Sequence, residues 1–119
     1  MCGICGEIRF DGNQASGERL QRMGDCLARR GPDGAGQVLR GPIGLGHRRL
    51  KIIDLSEKAQ QPMVDPELGL TIAFNGCIYN YPELRQELEG KGYRFFSTGD
   101  TEVIIKAYHA WGRDCVKRF

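Results

Sequence analysis

Met1-Cys2-Gly3-Ile4-Cys5-Gly6-Glu7-Ile8-Arg9-Phe10-Asp11-Gly12 opens the chain. From Ile4 to Phe10 the residues alternate, with Ile4, Ile8 and Phe10 on one face and Cys5, Glu7 and Arg9 on the other. That is the period of a half-buried strand, and Asp11-Gly12 closes it as a turn. Ahead of the strand stands Cys2, and the small residues after Met1 permit removal of the initiator methionine. The cysteine would then carry a thiol and a free α-amine on one residue. An α-amine with a pKa of about 7.7 to 8.0 can take the thiol's proton near neutral pH. Taken alone, a cysteine at position 2 is more simply a chance residue on a frayed terminus.

Outward from this strand the order of elements becomes readable. Ser16 is a plausible N-cap for a helix over about residues 17 to 29, with Leu20, Met23 and Leu27 on one stripe and a stop at Gly31-Pro32. Gln37 to Arg40 and Ile43 to His47 read as a hairpin joined by Gly41-Pro42. An apolar run from Leu50 to Leu55 follows, and residues 56 to 69 are polar and proline-containing, as in a surface loop. Leu70 to Phe74 alternates as a strand that leads into Asn75-Gly76. Pro82 to Gly90 reads as a helix, Tyr93 to Phe96 as a short strand, and Thr101 to Trp111 as a helix striped by Ile104, Ala107, Tyr108 and Trp111. Strands and helices in this order predict an α+β layered fold. Cys115 to Phe119 complete no recognisable element, so the chain reads as part of a longer one.

The 119 residues suffice for one domain with a core, and 40% hydrophobic with 27% charged residues is ordinary globular composition. The net charge of +2 is spread without blocks of like sign, which favours neither nucleic acid nor a membrane surface as partner. Five cysteines at irregular spacings, with no secretory signal, argue against a disulfide framework and for a reducing cytoplasm. No apolar stretch approaches the roughly 20 residues that cross a bilayer.

Four further pieces stand with Cys2: Arg30-Gly31-Pro32-Asp33, Gly46-His47-Arg48-Arg49-Leu50, Phe74-Asn75-Gly76-Cys77-Ile78-Tyr79-Asn80 and Gly99-Asp100-Thr101-Glu102-Val103-Ile104. Together with the Met-Cys-Gly start they resemble the N-terminal glutaminase domain of the asparagine synthetase family, a class II glutamine amidotransferase among the N-terminal nucleophile hydrolases. The resemblance covers nearly all of residues 1–119. It implies a four-layer αββα sandwich, incomplete here at its C-terminus, that releases ammonia from L-glutamine. It also implies a C-terminal synthetase domain on the same polypeptide, absent from this chain, which uses ATP and magnesium to amidate aspartate. No cofactor is implied for the glutaminase part, and a homodimer is an open alternative.

Position by position, the resemblance makes Cys2 the nucleophile and Asn75 with Gly76 the donors for the oxyanion. Arg49 would take the substrate carboxylate, Asp100 the ammonium, and Leu50, Ile52 and Ile53 would line the same wall. Arg30 would have a supporting role. Cys77 stands where the family usually has a glutamate that helps hold the ammonium, so Asp100 would carry that charge alone and bind glutamine more weakly. An uncharged residue there, with Gly6-Glu7-Ile8-Arg9-Phe10-Asp11-Gly12 and Tyr79-Asn80-Tyr81-Pro82-Glu83-Leu84, also resembles a subgroup that makes N-acetylglutaminylglutamine amide.

Plainer readings remain beside these. Cys2-Gly3-Ile4-Cys5 is a C-x-x-C, which can serve redox or zinc chemistry in a non-catalytic module. Cys5, Cys26 and Cys115 read as packing residues, and His47 and His109 as structural. Asp100 precedes a helix as an N-cap would, Arg48 and Arg49 can be a solvated pair, and Asn75-Gly76 can be no more than a type I′ turn.

Overall fold

The computed structural model describes residues 1–119. Three strands form the larger sheet: β1 (Gly3–Ile8), β2 (Gly34–Arg40) and β3 (Ile43–Arg49). β3 lies in the centre, antiparallel to both neighbours, with Gly3 opposite Arg48 and Gly34 opposite Arg49. The expected hairpin is β2–β3. Gly41 turns it with φ of 54°, a conformation that disfavours a side chain.

α1 (Gly17–Cys26) begins as read, because the Ser16 side chain accepts the Arg19 N–H at 3.3 Å. It ends about three residues before the expected end near residue 29. Ala28 and Arg30 donate only to the carbonyls three residues back, so Leu27 to Arg30 form a tighter turn.

The helix covers the side of the sheet that carries Gly3, Cys5, Glu7, Gly44 and Gly46. This reverses the face of β1 that its apolar side chains suggest. A Cβ on Gly3 would lie 2.9 Å from the Leu27 side chain, and one on Gly44 would lie 2.6 Å from Leu20. Close packing here needs small residues in the strands, and the helix brings the apolar bulk. Ile4, Ile8 and Ile43 stand on the other face, and Ile8 is 60% exposed.

β4 (Met63–Asp65) and β5 (Leu70–Ile72) make a second, antiparallel sheet of two strands. β4 falls inside the stretch expected to be a surface loop. Gln61, Met63 and Asp65 are all buried there, because they pack toward the last helix.

α2 (Tyr81–Gly90) and α3 (Asp100–Trp111) pack Leu84 and Leu88 against Val103 and Ala107 to form the core, with Ile78 and Cys115. Burying an aliphatic side chain of this size is worth about 1.5–3 kcal/mol. Gly112 ends α3 with φ of 64°. Cys26 is exposed, so it is not the packing residue expected, and Tyr108 on the expected stripe is 46% exposed.

Tyr93 to Phe96 is not a strand. The Phe96 and Ser97 N–H groups donate to the Glu102 carboxylate at 2.9 and 2.7 Å, and Arg85 donates to the Ser97 carbonyl at 2.8 Å. Side chains thus satisfy this backbone where a ladder would have done so. No helix is long and apolar enough to cross a membrane.

Candidate active site

A cavity of about 330 Å³ opens where the start of β1, the end of β3, the segment after β5 and the start of α3 converge. Cys2, Asn75 and Gly76 line it, and so do Arg49, Leu50, Ile52, Ile53, Cys77 and Asp100. The structure therefore brings every expected site residue to one place from four separate stretches of sequence.

Leu50 holds the thiol of Cys2. Its N–H lies 3.2 Å from Sγ and its carbonyl 3.6 Å from Sγ, so it can accept from a thiol or donate to a thiolate. Arg30 Nε donates to the Cys2 carbonyl at 3.2 Å. The other half of the C-x-x-C points away, since Cys5 Sγ lies under α1 with the Leu20 carbonyl 4.0 Å off. Residues three apart in an extended strand face opposite sides, and this geometry does not make a dithiol pair.

Arg49 is buried, and it donates to the carbonyls of Asp54 and of Ser56, the latter at 2.8 Å. These bonds fold the 50–56 stretch back as one wall of the cavity. None of the chain's ion pairs includes Arg49. It is not the solvated surface arginine that Arg48-Arg49 could suggest, and a buried cation without an anion is costly.

Asp100 is the first residue of α3 and does not cap it, since Gly99 takes that position. One oxygen, Oδ2, accepts the Ile78 N–H at 3.0 Å, which anchors the far end of the 74–78 segment. At the near end, Asn75 and Gly76 have ordinary negative φ, so they do not form a type I′ turn. What Gly76 supplies is space. A Cβ there would lie 2.7 Å from the Phe74 ring.

Several cavity residues were not anticipated from sequence. Asp54 accepts the Ser56 N–H through Oδ1 and the Thr98 N–H and hydroxyl through Oδ2. Burial opposes its charge, yet these bonds hold its carboxyl well below the usual carboxylate range. Asp54 thereby ties the Ile52–Ile53 wall to the loop before Asp100. Gln61 and Thr101 also face the cavity. A charged residue inside the apolar run 50–55 was the available signal for Asp54, whereas nothing local marks Gln61.

The profile of the glutamine amidotransferase domain matches residues 1–119. Among curated proteins, the chain is 39% identical over 119 residues to asparagine synthetase [glutamine-hydrolyzing] 3 of Bacillus subtilis, covering 98% of this chain and 19% of that protein. It is 41% identical over 121 residues to asparagine synthetase [glutamine-hydrolyzing] 1 of the same organism, covering 99% and 19%. Asparagine synthetase [glutamine-hydrolyzing] 1 of Arabidopsis thaliana is 36% identical over 117 residues, covering 98% and 20%. The chain thus spans about a fifth of the length of these relatives.

Proposed function

Because the chain belongs to the glutamine amidotransferase domain family, matched along its whole length, we propose that it hydrolyses glutamine to glutamate and ammonia with Cys2 as nucleophile. After loss of Met1, the α-amine of Cys2 takes the thiol proton, and Sγ attacks the side-chain carboxamide carbon. The negative oxygen of the tetrahedral intermediate is met by the Asn75 side-chain N–H and the Gly76 backbone N–H. Its collapse breaks the C–N bond, and the amine returns the proton to the departing ammonia. Water then hydrolyses the γ-glutamyl thioester to glutamate and the free thiol.

The observation that carries this reading is the polarity of the cavity around the thiol. Arg49 offers a buried cation with no anionic partner, and its bonds to the Ser56 and Asp54 carbonyls leave three of its five N–H donors for an α-carboxylate. Asp100 keeps Oδ1 uncommitted for an ammonium while Oδ2 holds the backbone. Leu50, Ile52 and Ile53 supply the apolar wall along which the methylenes of glutamine would lie.

The fold supports the same reading. α1 packed on the three-stranded sheet and α3 packed on the β4–β5 pair are compatible with the two halves of an αββα sandwich. The open apolar face of Ile4, Ile8 and Ile43 is the side that further strands of a second sheet would cover. Residues 1–119 would then form the N-terminal part of the glutaminase domain. The relatives are named glutamine-hydrolyzing asparagine synthetases and are about five times as long as this chain, which suits a further synthetase domain on the same polypeptide. That domain would use the ammonia to amidate a carboxylate such as aspartate, with ATP and magnesium serving it.

Intact mass before and after exposure to a glutamine-mimicking diazoketone tests the site. Loss of Met1 with one adduct on Cys2 supports it, and retained Met1 or labelling of other cysteines refutes it. Exposed Cys77 gives a second expected result. Cys77→Glu adds a carboxylate beside Asp100 and should lower the glutamine KM about threefold to fivefold, the scale of an exposed ion pair worth about 1 kcal/mol. An unchanged KM would exclude Cys77 from the ammonium side of the cavity.

A further inference from the structure

Phe74 lies just beyond the end of β5, where no ladder partner holds its backbone. Two side chains take that role. The Gln61 Oε1 accepts the Phe74 N–H at 2.6 Å, and the His47 Nε2–H donates to the Phe74 carbonyl at 3.2 Å. Both are almost wholly buried, at 7% and 2% exposed. They come from different elements, His47 from β3 two residues before Arg49 and Gln61 from the approach to β4. Gln61 then has its amide hydrogens free to face Thr101 Oγ1 at 3.4 Å, next to Asp100.

The contacts fix one tautomer. A carbonyl can only accept, so Nε2 must carry the hydrogen, and the buried Nδ1 has no partner. Burial holds the imidazole below its ordinary range, with the nearby Arg49 cation adding to this and the Phe74 carbonyl opposing it. The ring is therefore a neutral donor.

A planar peptide turns this bond into an orientation device. The Phe74 carbonyl and the Asn75 N–H belong to one rigid unit, so fixing the first fixes the plane from which Asn75 departs. The Phe74 ring in turn packs against Gly76, where a Cβ would lie 2.7 Å away. Asp100 closes the far end of the segment through Ile78. The register of the sheet accommodates the arrangement. Gly36 lies opposite His47, and a Cβ on Gly36 would meet the Gln61 carbonyl at 2.3 Å.

We infer that His47 and Gln61 are positioning residues that clamp Phe74 and thereby aim the Asn75 and Gly76 donors at the oxyanion. The inference rests on the proposed glutaminase reading. It assigns to both residues an effect mainly on turnover rather than on glutamine affinity, because His47 lies outside the cavity lining and Gln61, which does line it, spends its Oε1 on the Phe74 N–H and its amide on Thr101.

Steady-state glutamine hydrolysis and diazoketone labelling are measured for the protein and for His47→Leu, His47→Gln, Gln61→Leu and Gln61→Glu. His47→Leu removes the donor, whereas His47→Gln can present an amide N–H near the same position. His47→Leu should lower kcat about 10- to 100-fold, somewhat less than removal of an oxyanion donor itself, with KM within about threefold, and His47→Gln should recover most of the loss. Gln61→Glu keeps an acceptor for the Phe74 N–H and should outperform Gln61→Leu, a comparison that stands even if His47→Leu does not fold. Unchanged kcat in folded His47→Leu, a change confined to KM, or failure of both conservative variants to recover turnover would overturn the clamp alone. A parent protein that neither labels at Cys2 nor hydrolyses glutamine would overturn the glutaminase reading and the clamp with it.

Discussion

Cys2→Ala should reduce glutamine hydrolysis by at least about 10⁴-fold, the scale seen when a covalent nucleophile is removed from an enzyme that retains its binding site. The fold should hardly notice. The side chain is half-buried and outside the α2–α3 core, and its neighbours are the backbone groups of Leu50, so the stability change should stay within about 1 kcal/mol. Arg49, Asp100 and the apolar wall remain, and glutamine should still bind, which isothermal titration would show. A complementary variant carries extra residues ahead of Cys2. It keeps the thiol and the cavity but replaces the α-amine by an amide, so the base is lost and turnover should fall about 10²- to 10⁴-fold, the range of general-base catalysis. Together these variants separate nucleophile from base on a single residue. Turnover within tenfold of the parent in Cys2→Ala would remove Cys2 from the mechanism, and full activity in the extended variant would show that another group takes the proton.

The residues that line the cavity were legible only through the family resemblance of the motifs taken together, since alone Cys2, Asn75-Gly76 and Asp100 read as a frayed terminus, a turn and a helix cap. What connects them was not. His47, Asp54 and Gln61 act on backbone atoms far away in sequence, and no local pattern records which carbonyl a side chain will meet. The same limit explains the misread elements. Alternation in β1 gave its period correctly but not its covered face, because glycines line the helix side and the apolar bulk there belongs to Leu20 and Leu27. Polar composition suggested a surface loop over 56 to 69, but Gln61 and Asp65 are buried by partners 40 and 41 residues onward in Thr101 and Lys106. Tyr93 to Phe96 has the composition of a strand, and a single carboxylate on α3 takes two backbone donors at its end.

Lys106→Met should destabilise the protein by about 3–5 kcal/mol at neutral pH, the cost of leaving buried carboxylates without their cation. Lys106 Nζ lies 2.9 Å from both Asp65 and Glu102, and all three residues are buried. Burial works against the charge on Lys106, but its bonds to Asp65 and Glu102 prevail and raise its pKa. Burial likewise opposes the charge on Asp65, but the bond from Lys106 prevails and lowers its pKa. The stabilisation tied to Asp65 is therefore present above its unfolded value and is lost as pH falls through its lower folded value. That tied to Lys106 is present below its unfolded value and is lost as pH rises through its higher folded value. Between about pH 4 and 10 both contributions are in place.

In Lys106→Met the sign at Asp65 reverses. Without the ammonium, burial favours the neutral acid, so the deficit against the parent should shrink as pH falls from 7 toward 5. Adding Asp65→Leu to Lys106→Met should recover part of the loss, because it removes the stranded charge. Glu102 cannot be replaced in the same way, since Phe96 and Ser97 would lose their acceptor. Urea unfolding at the two pH values measures all of this. A deficit below about 1 kcal/mol at pH 7, or one that grows toward pH 5, would show that the triad is not the buried ion cluster described. The consequence reaches the cavity, because Ser97 leads through Thr98 to Gly99, Asp100 and Thr101 on its wall. A loosened triad should therefore raise the glutamine KM in the surviving folded fraction before it changes the chemistry at Cys2.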